Sequence, residues 1–109
     1  KYAVQNLSRM CLRINFGVEF NLSLKEPQFN GIGEIENINK IELNDVWHNL
    51  NVNYELTPKC SIWYFPIETI SGSESGIERT YQGLCLLFLW HIELAGSEKD
   101  SFDIKATFL

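Results

Sequence analysis

From Leu12 to Leu24 every even-numbered residue is apolar: Leu12, Ile14, Phe16, Val18, Phe20, Leu22 and Leu24. Between them stand Arg13, Asn15, Gly17, Glu19, Asn21 and Ser23. On a helix these apolar side chains would scatter around the cylinder, whereas on a strand they share one face. The pattern predicts a β-strand. At ~3.3 Å per residue it runs ~40 Å, long for a strand, so Gly17 is the expected site of a bulge or bend.

The same two-residue period returns at Leu50, Val52, Tyr54 and Leu56, and again at Phe102, Ile104, Ala106 and Phe108. The stretch Gly83 to Leu94 is apolar almost throughout, which predicts a central strand buried on both faces. Shorter strands are predicted at Tyr2–Asn6, Gly33–Asn37, Lys40–Leu43 and Ser61–Phe65; Pro66 should end the last or hold it at an edge. Turn signals separate these runs at Pro27-Gln28-Phe29-Asn30-Gly31, Asn44-Asp45, Thr57-Pro58-Lys59 and Ala95 to Ser101. No helix is predicted, and Lys25 to Gly33 reads as a loop bracketed by Pro27 and Gly31. About seven or eight strands at short spacing predict an all-β fold, an antiparallel β-sandwich forming one domain over residues 1–109.

One segment lacks a period. Phe65 to Gly83 is predicted as a long irregular loop, and such loops often carry function. It holds Glu68, Glu74 and Glu78, the hydroxyls of Thr69, Ser71, Ser73 and Ser75, then Arg79, Tyr81 and Gln82, with Trp63 just before it. Carboxylates, an amide and a guanidinium beside an indole suit a neutral, hydroxyl-rich ring such as a sugar. The bland alternative is that Glu68, Glu74 and Arg79 pair with one another to hold the loop. Glycosidase chemistry needs two carboxylates ~5 Å or ~6.5–9.5 Å apart, and loop spacing fixes no such distance. Calcium would accept these oxygens too, but no Asp-rich calcium-loop series is present.

Composition narrows the partners. Hydrophobic residues make up 45% and charged residues 21%, which excludes a disordered chain, and no apolar run approaches the ~20 residues of a membrane helix. The net charge is −5 and the only basic cluster is Arg9 with Arg13, so neither nucleic acid nor an anionic membrane is an expected partner. A neutral ligand or another protein remains. Cys11, Cys60 and Cys85 are an odd number without CxxC spacing, which points to buried free thiols in the cytoplasm and to neither a disulfide framework nor a zinc site. No metal and no cofactor is expected. His91, inside the most apolar run, reads as a hydrogen-bonded core residue. His48 could be checked against Glu55 as an acid–base pair, but seven residues apart on one strand they face opposite sides. Phosphate-binding loops and nucleophile elbows are missing from the sequence. Without an initiating Met or a signal segment, the chain reads as part of a longer protein.

The runs Trp63-Tyr64-Phe65-Pro66-Ile67-Glu68-Thr69-Ile70-Ser71, Ser73-Glu74-Ser75-Gly76, Glu78-Arg79 and Tyr81-Gln82-Gly83 resemble the C-terminal domain of glycoside hydrolase family 57 enzymes, the 4-α-glucanotransferases and related α-amylases. Phe16-Gly17-Val18-Glu19-Phe20-Asn21 and Asp45-Val46-Trp47 resemble that domain as well; Gly72 and Ile77 depart from it, standing where a polar residue and Phe are usual. The resemblance implies a β-sandwich related to the galactose-mutarotase supersandwich, of which this chain is the later part. It also implies that the nucleophile and acid/base sit in an N-terminal catalytic barrel, so no catalytic residue carries over. The expected role is a non-catalytic accessory domain that supports the barrel; the alternatives are a purely structural docking domain that binds no sugar and a standalone carbohydrate-binding module. An α-glucan or maltooligosaccharide would be met by Trp63, Glu68, Glu74, Glu78, Arg79 and Gln82. Strands left without neighbours by such a division would pair in a homodimer or close on themselves.

Overall fold

The computed structural model describes residues 1–24, 28–74 and 76–109. Six strands and no helix occur among them: β1 (Tyr2–Gln5), β2 (Leu12–Leu22), β3 (Gly33–Asp45), β4 (Leu50–Ser73), β5 (Gly76–Leu94) and β6 (Lys99–Phe108). Every pairing is antiparallel, in the order β1-β6-β4-β5-β2, with β3 on β4. No helix of the described residues is long and apolar enough to cross a membrane. Residues 28–32 are bends, in line with the predicted loop, while its Pro27 lies outside the described residues.

The strand count falls below the predicted seven or eight because two pairs of predicted strands are continuous. Gly33–Asn37 and Lys40–Leu43 join in β3 through register shifts around Ile38, where Asn37 takes a left-handed backbone (φ 53°). Asn tolerates that region better than most residues, so the bulge interrupts the period without ending the strand. Likewise Leu50–Leu56 and Ser61–Phe65 join in β4, and Pro66 lies inside it, opposite Leu84. Proline fits there because β3 stops pairing at Tyr64, so β4 has a free edge from that point on.

β4 changes partners along its length, and this folds one sheet into two layers. Residues 50–57 pair with β3 and β6, while residues 61–73 pair with β5 and, as far as Tyr64, still with β3. The alternating apolar residues of both layers point inward. Phe20 and Phe88 of one layer meet Tyr54 of the other at ring-centroid distances of 5.1 Å each, and Trp90 meets Phe102 at 5.1 Å. Tyr54, Ile62, Leu86, Phe88 and Leu94 are fully buried. Fully burying one such side chain contributes roughly 1.5–3 kcal/mol, so this seam is the main source of stability. Burial pushes the Tyr54 phenol up to about 12.

The outer face of the β2–β5 layer is less buried than a doubly covered strand would be. His91, placed there by its odd register in β5, is exposed and pairs with Asn15 Oδ1 at 2.5 Å, so it is not the core residue its apolar neighbours predict. Leu87 is half-buried, whereas Cys85 is covered and its Sγ lies 3.4 Å from Glu19 Oε1. Burial and that carboxylate push the Cys85 thiol up to about 11, and burial raises Cys60 to about 11. Cys11 is exposed, unlike the buried thiol expected, because it precedes β2 and lies outside the core.

Candidate functional site

The segment from Phe65 to Gly83, predicted as a loop, is the far end of the β4–β5 hairpin. Beyond Pro66 and Leu84 the two strands pair only with each other, from Ile67 opposite Gly83 to Ser73 opposite Gly76. Gly76 closes the turn at φ 126°, a backbone conformation that disfavours side chains. Residues 68–72, 74 and 76–80 are all exposed. A two-stranded ribbon ~20 Å long therefore projects from the sandwich. The molecule measures 60 × 34 × 19 Å with a radius of gyration of 17.5 Å. A compact chain of this length would have about 13 Å, and the ribbon accounts for the excess.

Strand alternation divides the predicted site residues between two faces. Trp63, 47% exposed, lies on the outer face of the β2–β5 layer with Phe65 and Ile67. Thr69 continues that face on the ribbon, where Gln82 Nε2 donates to its Oγ1 at 3.3 Å, and Glu78 opposite Ser71 shares it. A register shift after Ile67 sets Glu68 opposite Tyr81, and Ile70 opposite Arg79, on the other face. Glu74 is in the turn at the tip. The six residues thus do not form one cluster: Trp63, Glu78 and Gln82 are parted from Glu68 and Arg79 by the thickness of the ribbon. Nor does Arg79 pair with Glu68 or Glu74 among the described residues, so the loop-holding ion pairs are not formed.

A second polar arrangement stands at the β3–β4 turn, at the end of the sandwich from which the ribbon projects. Asp45 is the last residue of β3 and only 1% exposed. Its Oδ1 accepts from the Trp47 backbone N–H at 3.2 Å, and its Oδ2 lies 2.5 Å from His48 Nδ1. A carboxylate only accepts, so Nδ1 carries the proton. The His48 side chain is 58% exposed and Trp47 is 70% exposed. Burial, and then the Asp45 charge, push the Tyr81 phenol up. His48 therefore pairs with Asp45 and not with Glu55, which is opposite Lys40 in the β3–β4 ladder.

Open grooves also mark the opposite part of the outer face, one lined by Arg13, Asn15, His91 and Glu93, another by Glu34, Glu36, Lys59, His91 and Asp100. Neither contains a residue of the ribbon or the turn. Among the described residues no group of three or more His, Cys, Asp or Glu side chains is arranged to hold a metal ion.

This fold and these sequence runs recur elsewhere. The family described as "Alpha-amylase/4-alpha-glucanotransferase, C-terminal" is matched by residues 1–104. The chain belongs to this family. Within the alpha-amylase/4-alpha-glucanotransferase C-terminal family, it is 30% identical over 105 residues to alpha-amylase 1 of Dictyoglomus thermophilum, which spans 85% of this chain and 15% of that protein. It is 34% identical over 96 residues to the 4-alpha-glucanotransferase of Thermococcus kodakarensis, covering 84% of this chain and 14% of the relative. The crystal structure of the 4-alpha-glucanotransferase from Thermococcus litoralis superposes with a TM-score of 0.74 at 30% identity, covering 89% of this chain and 14% of that one. The chain thus spans about a seventh of the length of these family members, and its two-layered antiparallel fold matches a small part of a much larger protein.

Proposed function

We propose that this chain is the non-catalytic accessory part of an α-glucan-acting enzyme of the glycoside hydrolase family 57 type. In that role it supports the catalytic barrel of the same polypeptide and lends its projecting ribbon to saccharide contact. The observation that carries the reading is the family match over residues 1–104, joined to a share of only 14–15% of each relative's length. A piece of that size supplies a surface to an enzyme whose chemistry resides elsewhere. The ribbon is the part of that surface least needed by the sandwich, since its exposed residues bury nothing. Its polar residues Glu68, Glu74, Glu78, Arg79 and Gln82, with Trp63 on the sheet just before it, suit a neutral polyol, and the net charge of −5 disfavours anionic ligands.

Docking against the barrel is a second role for the ribbon, favoured by Ile70 and Ile77, which are 66% and 76% exposed on one of its faces. The open outer edges of β2 and β3 belong to the same reading: further strands of a supersandwich, or a second copy in their place, would pair there. A cytoplasmic setting agrees with three free thiols.

Replacing residues 68–82 by Asn-Gly, a two-residue hairpin turn, tests the saccharide role. Titrated with maltoheptaose, the intact chain is expected to bind with a Kd near ~1 mM. The shortened chain should bind at least about tenfold more weakly while unfolding at nearly the same temperature. Equal affinity of the two chains would overturn the ribbon's part, and absence of binding to either would overturn saccharide contact altogether.

A further inference from the structure

The free edges of the two layers are not alike. An open strand edge invites pairing, and proteins guard it with a short strand, a bulge, a proline or a lysine. β1 is four residues long, β3 has register shifts around Ile38 and carries Lys40, and the free edge of β4 carries Pro66. β2 has no such guard. It matches β5 residue for residue from Leu12 opposite Leu94 to Leu22 opposite Leu84, without Pro, Lys or bulge. No strand among the described residues pairs with its other side. Its inward row is also unfinished: Ile14, Phe16, Val18, Phe20 and Leu22 face the seam, yet each is only half-buried, and Leu12 is 40% exposed. Tyr2, whose ring lies 5.6 Å from that of Phe16, is exposed as well.

We propose that β2 is the contact edge of a homodimer: two copies of the chain pair their β2 strands antiparallel about a two-fold axis at Phe16, joining their β2–β5 layers into one continuous sheet. The inference rests on the open-edge reading above and commits one edge to one partner. Its register follows from the side chains. Apolar residues stay on the inner face only if the residues set opposite each other are both even or both odd in number. Of those registers, the one centred on Phe16 sets Arg13 opposite Glu19 of the second copy, and does so twice by symmetry. Centring on residue 13 or 19 would oppose like charges instead. The same register puts Phe16 beside its counterpart, Ile14 opposite Val18 and Leu12 opposite Phe20, which covers the unfinished row. Both charged side chains are weakly held within one copy. Arg13 Nε lies 3.7 Å from Glu93 Oε1 in an exposed pair, and Glu19 Oε1 accepts from the Cys85 thiol at 3.4 Å.

Sedimentation equilibrium tests the dimer and its register together. The chain is expected to associate with a Kd on the order of 10 µM. Glu19→Arg and Arg13→Glu each bring like charges face to face, so either variant alone should dimerise at least about tenfold more weakly. Mixed in equal amounts, the two should regain the parent affinity to within about threefold, because every charge then meets its opposite. Both positions are exposed, and melting temperatures show whether the variants fold. Should either melt well below the parent chain, Arg13→Gln and Glu19→Gln replace them, each expected to weaken the dimer about threefold. A chain that stays monomeric at ~500 µM would overturn the inference and leave the maltoheptaose result untouched. A mixture no tighter than the separate variants would contradict the Arg13–Glu19 register and the proposal with it. So would a dimer lost when residues 68–82 are replaced by Asn-Gly, which would put the contact on the ribbon.

Discussion

Phe88→Ala is expected to destabilise the chain by about 4 kcal/mol, a large part of the ~5–15 kcal/mol that holds an ordinary domain together. Phe88 is completely buried, and its ring packs at 5.5 Å edge-on to Phe20 and at 5.1 Å to Tyr54 of the facing layer. Truncation removes the transfer energy of the ring and leaves a cavity that neighbours fixed in strand ladders can fill only in part. The melting temperature should fall by roughly 15 °C or more. Phe65→Ala supplies the comparison: that ring is 40% exposed on the outer face and its loss should cost about 1 kcal/mol or less. Urea unfolding of the two variants checks both values. Equal small losses would mean that the layers do not face each other at this seam.

Gly83→Ala should produce the next largest loss, about 2 kcal/mol, although it adds a single methyl group. A Cβ on Gly83 would lie 2.5 Å from the Leu22 carbonyl oxygen and 3.4 Å from Ser23 Cα. Both are backbone atoms at the place where β2 leaves the sheet, so no rotamer change relieves the clash. The exit must move outward, and Leu24, buried in the core just beyond it, would be drawn with it. Gly72→Ala, where an added Cβ meets nothing within 4 Å, is the matched control and should change stability by less than about 0.5 kcal/mol. Urea midpoints decide between them; a Gly83→Ala chain as stable as Gly72→Ala would show that the exit of β2 is not held over that glycine.

What could be read from the sequence follows from how a strand reveals itself. Alternation appears only where one face is buried and the other is wet. β2 satisfies that condition, and its predicted span of Leu12 to Leu24 is matched by a strand at Leu12–Leu22. The ribbon does not satisfy it: with both faces exposed, residues 68–72, 74 and 76–80 are under no burial constraint, so an extended pair has the composition of a loop. Pro66 left two outcomes open for a related reason, an end or an edge, since which one holds depends on the neighbour opposite its nitrogen, which is a tertiary fact; the structure shows the edge. His91 shows the reverse error. Its apolar surroundings signalled a core, but alternate residues of β5 face different environments, and only the even-numbered ones from Leu84 to Leu94 form the seam. The Asp45–His48 pair left one faint trace, an acidic residue three before a histidine across a turn signal. Spacing of that kind is common, and only the burial of Asp45 gives it meaning.

The central claim is that a folded sheet forms the body of this domain and that the β4–β5 hairpin runs out of it as a free-standing ribbon available to a partner. Residue-resolved amide hydrogen exchange along these two strands tests it most directly. Slow exchange is expected for hydrogen-bonded amides in 52–64 and 84–94, with a steep fall to rapid exchange across 68–80, because an isolated two-stranded hairpin opens easily. Protection carried at full strength to Ser73 and Gly76 would contradict it, as would rapid exchange throughout Leu84 to Leu94.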